Sequence, residues 1–131
     1  MKQLLATEFI LYVNNQESAS RFYEAVFRTQ PTLEVSGMTE FTLSENLKIG
    51  LMPNNGIAKI LTPKTIHPEK GNGIPRCELY FYVENLQFEF DNAVKAGAKI
   101  ISEIEKRNWG DRVCYLADSD EHIIAFAEKI K

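Results

Sequence analysis

From Thr7 to Val13 the chain reads TEFILYV, and from Cys77 to Val83 it reads CELYFYV. Both runs alternate with the period of two that marks a strand with two different faces. Phe9, Leu11 and Val13 share one face of the first, with Glu8, Ile10 and Tyr12 on the other. The second repeats the division, with Leu79, Phe81 and Val83 opposed to Glu78, Tyr80 and Tyr82. Each strand therefore carries an apolar face and a face that mixes a glutamate with tyrosine.

The period then changes to that of a helix. Ala19, Phe22, Tyr23, Val26 and Phe27 form one apolar stripe after the first strand, and Leu86, Phe90, Ala93 and Val94 form another after the second. Asn85 is the expected N-cap of the second helix, and Gly97 its expected left-handed stop. Three further strand-like runs follow in each half. They are PTLEV, TEFTL and LKIGLM in the first, and AKIISEI, DRVCYL and HIIAFAE in the second. The halves thus read β-α-β-β-β twice, over about 6–52 and 76–130. Residues 53–75, with Pro53, Gly56, Pro63, Pro68, Gly71, Gly73 and Pro75, read as a linker. The expected fold class is α+β, one domain made of two βαβββ modules.

Composition narrows the function classes. The 131 residues are 44% hydrophobic and 25% charged, as in a globular domain, and the net charge of −3 gives no basic face for nucleic acid. Glu8 interrupts the early apolar run MKQLLATEFILYV, no small-residue cleavage site follows it, and no stretch approaches the ~20 apolar residues of a membrane span. A cytoplasmic protein with no membrane partner is expected. Cys77 and Cys114 form no paired motif and are expected to be two buried, reduced thiols. No nucleophile motif or phosphate-binding glycine loop is present.

The opening FILYVNNQESASRFYEAVF and the ending WGDRVCYLADSDEHIIAFAEK resemble the corresponding segments of the vicinal oxygen chelate superfamily, the group of glyoxalase, bleomycin-resistance and extradiol-dioxygenase proteins. The resemblance covers both halves and leaves out the linker. It implies paired βαβββ modules in a curled mixed sheet around a cavity, often completed in a homodimer. It also implies a divalent metal held from the first and last strands of each module. Those four positions fall on Glu8, about Gly50, Glu78 and Ala125. Two of them have no donor atom, so at most Glu8 and Glu78 remain as metal candidates, enough for a weakly held Mg²⁺ or Mn²⁺ but a poor site for Zn²⁺.

Two functional readings follow. In the first, the protein is a metal-independent, bleomycin-resistance-like binder of a small molecule, with no cofactor, acting as a homodimer. Its ligand-binding candidates are Glu8, Tyr12, Glu78, Tyr80, Tyr82 and Trp109, a carboxylate and aromatic set suited to a planar or cationic ligand. In the alternative it is a metal-dependent glyoxalase-like lyase or isomerase, with one glutamate moving a proton on a carbonyl substrate. The plain alternative for the glutamates is a solvated sheet edge, for the tyrosines a filled cavity, and for Trp109 a lid over a strand edge. His122 follows the Asp118–Glu121 turn, at a position where the resemblance implies an Asn or His kept for structural reasons; His67 is expected to lie exposed in the linker, and Glu105–Asn108 to form a solvated turn.

Overall fold

The computed structural model describes residues 3–131. The chain forms two compact units that divide between Gly71 and Asn72. The first contains β1 (Thr7–Val13), α1 (Gln16–Phe27), β2 (Leu33–Val35), β3 (Met38–Ser44), β4 (Leu47–Pro53) and α2 (Asn54–Leu61). The second contains β5 (Glu78–Tyr82), α3 (Leu86–Lys95), β6 (Lys99–Lys106), β7 (Asp111–Ala117) and β8 (Ile123–Lys129). Each unit has an open four-stranded mixed sheet. The orders β1-β4-β3-β2 and β5-β8-β7-β6 are the same path traced twice.

In both units the first strand runs parallel to the last, which is possible because a helix intervenes between them. The register places Leu11 opposite Leu51, and Phe41 opposite Ile49, on the core face of the first sheet. Val13, Phe41, Ile49 and Leu51 are fully buried there, and α1 covers β3 and β4 with Ala19, Tyr23 and Val26. The core of the second unit pairs Leu79 and Leu116 with Ile124, beneath Leu86, Phe90 and Ala93 of α3.

Local signals fix the helix ends. Asn15 and Asn85 have extended backbones, and their side chains accept from the Ser18 and Phe88 amides, satisfying donors that a helix start leaves open. Gly97, with φ of 110°, follows α3 in a conformation that a Cβ would oppose. Gln16 ties α1 to the β2–β3 hairpin: its amide donates to the Val35 carbonyl and the Thr39 hydroxyl, and its oxygen accepts from the Gly37 amide. Ser20 donates to Thr39 at 2.9 Å, so two buried hydroxyls satisfy each other.

Several details depart from the sequence expectation. Residues 53–75 include the eight-residue α2, which packs on β1 and β4 through buried Ile57 and Ala58. Phe9 lies on the predicted core face but is 52% exposed: its register partner Ile49 is buried, but β1 is the edge strand and α1 covers β3 and β4. Val94 is half-exposed at the end of its stripe. Cys77 is exposed because it precedes β5, whereas Cys114 is buried inside β7. His67 is partly covered and its ring meets the Asn55 side chain at 3.0 Å. No helix among the described residues is long and apolar enough to cross a membrane.

Two substitutions test this account of the fold in urea denaturation. Leu51→Ala is expected to cost about 2–5 kcal/mol, because it removes a fully buried side chain between β1 and the helix layer. Asn85→Ala is expected to cost about 1 kcal/mol through loss of the α3 cap.

Candidate functional site

The face of each sheet turned away from its helix carries the candidate residues. In the first unit Glu8, Ile10 and Tyr12 stand beside Lys48, Gly50 and Met52, with Glu40 directly across from Gly50. Gly50 has a specific local role. A Cβ there would collide with Glu8 Oε2, so the glycine leaves the space into which the glutamate folds. Glu8 thereby reaches Glu40 two strands away, and Glu40 is paired with Lys48 at 3.5 Å. Burial raises the Glu8 pKa first; a hydrogen bond with Glu40 and the Glu40 charge raise it further, while Lys48 opposes them. Glu8 Oε2 itself is buried with no hydrogen-bond partner among the described residues.

The second unit builds a different site on equivalent strands. Tyr80 and Tyr82 both donate to Asp111 Oδ2, at 2.6 and 2.7 Å. Trp109 Nε1 donates to the Tyr80 hydroxyl at 2.9 Å, and Lys129 donates to the Tyr82 hydroxyl at 3.3 Å. The Lys129 ammonium also lies 4.6 Å from the Tyr82 ring centroid and 3.8 Å from Asp111 Oδ1. Asp111 is 1% exposed. The Tyr80 hydrogen bond pulls its pKa down, burial opposes, and Tyr82 and Lys129 add to the lowering. Tyr80 is pushed up to about 12, by burial first and then by its bond to Asp111. This chemistry holds a carboxylate ionised and its neighbouring phenol protonated.

Beneath these groups, Val113, Ala125 and Ala127 form a sealed apolar patch against which Tyr80 and Tyr115 pack. Burial raises the Tyr115 pKa, Glu78 adds to the rise, and Arg107 counters it. The Arg107 guanidinium lies 5.7 Å from the Tyr115 ring centroid and donates to Ser102 at 2.9 Å.

The six sequence candidates thus separate into two settings. Glu8 and Tyr12 belong to the first unit, and Glu78, Tyr80, Tyr82 and Trp109 to the second. Tyr80, Tyr82 and Trp109 are brought into one hydrogen-bonded group, whereas Tyr12 is half-exposed beyond the Glu8–Glu40 pair. Glu40, Lys48, Asp111 and Lys129 are site residues that the sequence reading did not single out. Period-two counting along TEFTL and DRVCYL places Glu40 and Asp111 on the right faces, which was the available signal. Arg107 likewise lies over a ring, rather than in a wholly solvated turn.

These observations bear on the expected metal. The strand register places Gly50 opposite Ile10 and Ala125 opposite Tyr80, so the two positions without donors are structural equivalents. Glu8 occupies the space beside Gly50, and Ala125 is fully buried in its apolar patch. The residues at the four expected ligand positions therefore do not fit a chelated divalent ion. Asp118, Asp120 and His122 do bring three donor atoms within 4.8 Å of one another. However, Asp118 Oδ1 accepts from the Asp120 and His122 amides, and Oδ2 meets His122 Nδ1, which makes them a turn brace. Burial would lower the His122 pKa but Asp118 and then Asp120 outweigh it, so the pKa is raised. That pairing contributes fully below pH 6.5 and is lost as pH rises through the raised value.

Residues 6–131 match the family described as the glyoxalase-like domain. The chain belongs to this family. A relative, an uncharacterised protein of Mycobacterium bovis, is 25% identical over 124 residues, covering 92% of this chain and 81% of the relative. One from Mycobacterium tuberculosis is 25% identical over 124 residues, with 92% and 72% covered. Among solved structures, a glyoxalase-related enzyme from Fulvimarina pelagi superposes with a TM-score of 0.80 at 18% identity, over 97% of this chain and 88% of that one. A glyoxalase/bleomycin resistance protein/dioxygenase family enzyme from Burkholderia phytofirmans gives 0.79 at 14% identity, over 94% and 97%. At these identities the structural likeness is one of fold, and it supports the α+β glyoxalase/bleomycin-resistance architecture.

The Glu8–Glu40 contact yields a pH prediction. A carboxyl with a raised folded pKa contributes stability that is full below its unfolded value, near 4.5, and lost as pH rises through the folded value. Glu40→Gln is expected to lower the Glu8 pKa and flatten that loss, as read by carbon-13 titration of the Glu8 carboxyl. An unchanged titration would contradict the contact.

Proposed function

We propose that this glyoxalase-like protein is a cytoplasmic homodimer that binds a small molecule without a metal cofactor. The aromatic face of the second unit is its principal contact surface. The observation that carries the reading is the occupation of the expected metal positions by packing. Gly50 makes room for the Glu8 carboxyl, and Ala125 supports Tyr80 and Tyr115. A chelating enzyme needs three or four donors converging on one point, and these positions instead serve neighbouring side chains.

The binding side of the proposal is supported by how Tyr80, Tyr82 and Trp109 are held. Their polar ends are fixed by Asp111 and by one another, so the rings lose little freedom when a ligand stacks on them. Trp109 and Tyr82 are about half exposed and present their rings to solution. Glu78 and Lys129 provide charge of both signs at the margins of this face.

The alternative, a metal-dependent lyase, makes opposite predictions for the same preparation. After incubation with Mg²⁺, Mn²⁺, Ni²⁺ or Zn²⁺ and desalting, the protein is expected to retain no stoichiometric metal and to turn over lactoylglutathione at the background rate. Light scattering is expected to give twice the chain mass, and a panel of planar small molecules to include saturable quenchers of Trp109 fluorescence. Stoichiometric metal that disappears in the Glu8→Gln/Glu78→Gln double variant would reverse the assignment.

A further inference from the structure

The Asp111 carboxylate has an unequal pair of oxygens. Oδ2 accepts from both Tyr80 and Tyr82, whereas Oδ1 is buried and has no hydrogen-bond partner among the described residues. The nearest cation is Lys129, at 3.8 Å, too far for a hydrogen bond. Its side chain is 72% exposed and ends over the Tyr82 ring. A buried carboxylate oxygen without a donor is costly, and an aromatic face beside it favours a positive charge. The protein thus has two elements of an ammonium site, a buried anionic acceptor and an aromatic wall. It covers them with an exposed ammonium of its own, which lies against the ring but stays 3.8 Å from the acceptor oxygen.

We propose that the Lys129 head group is a tethered placeholder at a site for primary alkylammonium ligands, and that such a ligand displaces it. This rests on the small-molecule reading and names the ligand class for the second unit. The ligand's ammonium donates to Asp111 Oδ1 and lies against Tyr82, and an attached planar group stacks on the exposed face of Trp109. Because Oδ1 needs an N–H donor, a quaternary ammonium is a poor substitute despite its charge. Lys129 is then a specificity-determining residue that weakens binding by competing for the site. If it occupies the site nine-tenths of the time, the observed dissociation constant is about tenfold weaker than that of the open site.

The test uses the full chain and the fluorescence of Trp109, its one tryptophan. Benzylamine, benzyl alcohol and benzyltrimethylammonium are titrated at pH 7 into wild type, Lys129→Met and Lys129→Arg, with circular dichroism confirming the fold. Lys129→Met keeps the stem that covers the face but removes the competing charge. It is expected to tighten benzylamine binding about tenfold, with no matching gain for the alcohol or the quaternary amine. Lys129→Arg retains a cation and is expected to stay near wild type. Adding Asp111→Asn to Lys129→Met is expected to remove the gain. An unchanged or weaker benzylamine affinity in Lys129→Met, no saturable binding by that variant, or an equal gain for benzyl alcohol overturns the proposal. Equal binding of all three ring compounds by wild type and Lys129→Met would overturn this inference while leaving small-molecule binding intact. Failure of these and of the wider planar panel to bind would remove both.

Discussion

A buried carboxylate organises the functional face of the second unit. Asp111 opens β7 with 1% exposure, in a setting of aromatic rings and small apolar side chains. An ionised group cannot remain there without donors, because burial disfavours its charge. Tyr80 and Tyr82 supply those donors from β5, across the intervening β8, and their rings take positions dictated by that task. Trp109 is then fixed through the Tyr80 hydroxyl and Lys129 through the Tyr82 hydroxyl. The aromatic surface offered to a ligand is thus the outer side of an arrangement whose inner side compensates one charge.

The first unit repeats the strand path but not this chemistry. Glu40 occupies the register position that Tyr115 has in the second unit, each opposite the residue equivalent to Gly50 or Ala125. Where the residue is glycine, Glu8 folds inward and meets Glu40, with Lys48 offsetting the charge. Where it is alanine, two tyrosines close over it. The same two positions that would carry metal ligands by family resemblance are therefore small for packing reasons specific to each unit. A single substitution to a donor residue would have to displace a neighbouring carboxyl or ring as well.

Much of this organisation is legible in the chain. The repeated alternation around Glu8 and Glu78, the helical stripes and the WGDR ending give the α+β repeat and the shared face of Tyr80 and Tyr82. Helix α2 escaped because its short apolar signal, Ile57 and Ala58, lies among prolines and glycines that read as a linker. The exposure of Phe9 follows from the edge position of β1, since α1 covers β3 and β4, and alternation alone does not encode strand order. Glu40, Asp111 and Lys129 were missed for a related reason. Period two assigns a residue to a face, but only cross-strand register reveals that Asp111 stands opposite Lys129 and Glu40 opposite Gly50. The charge compensation at the site is a property of that register.

The most direct measurement is a carbon-13 titration of the Asp111 side-chain carboxyl in the intact protein. With the tyrosine hydroxyls and Lys129 outweighing burial, its midpoint is expected below the ordinary 3.8. The stability it contributes should be full above that pH and lost as pH falls through the depressed midpoint. Tyr80→Phe should move the midpoint upward. A carboxyl that titrates at or above 3.8 in the wild type, or that ignores the loss of the Tyr80 hydroxyl, would contradict a face built on the ionised Asp111.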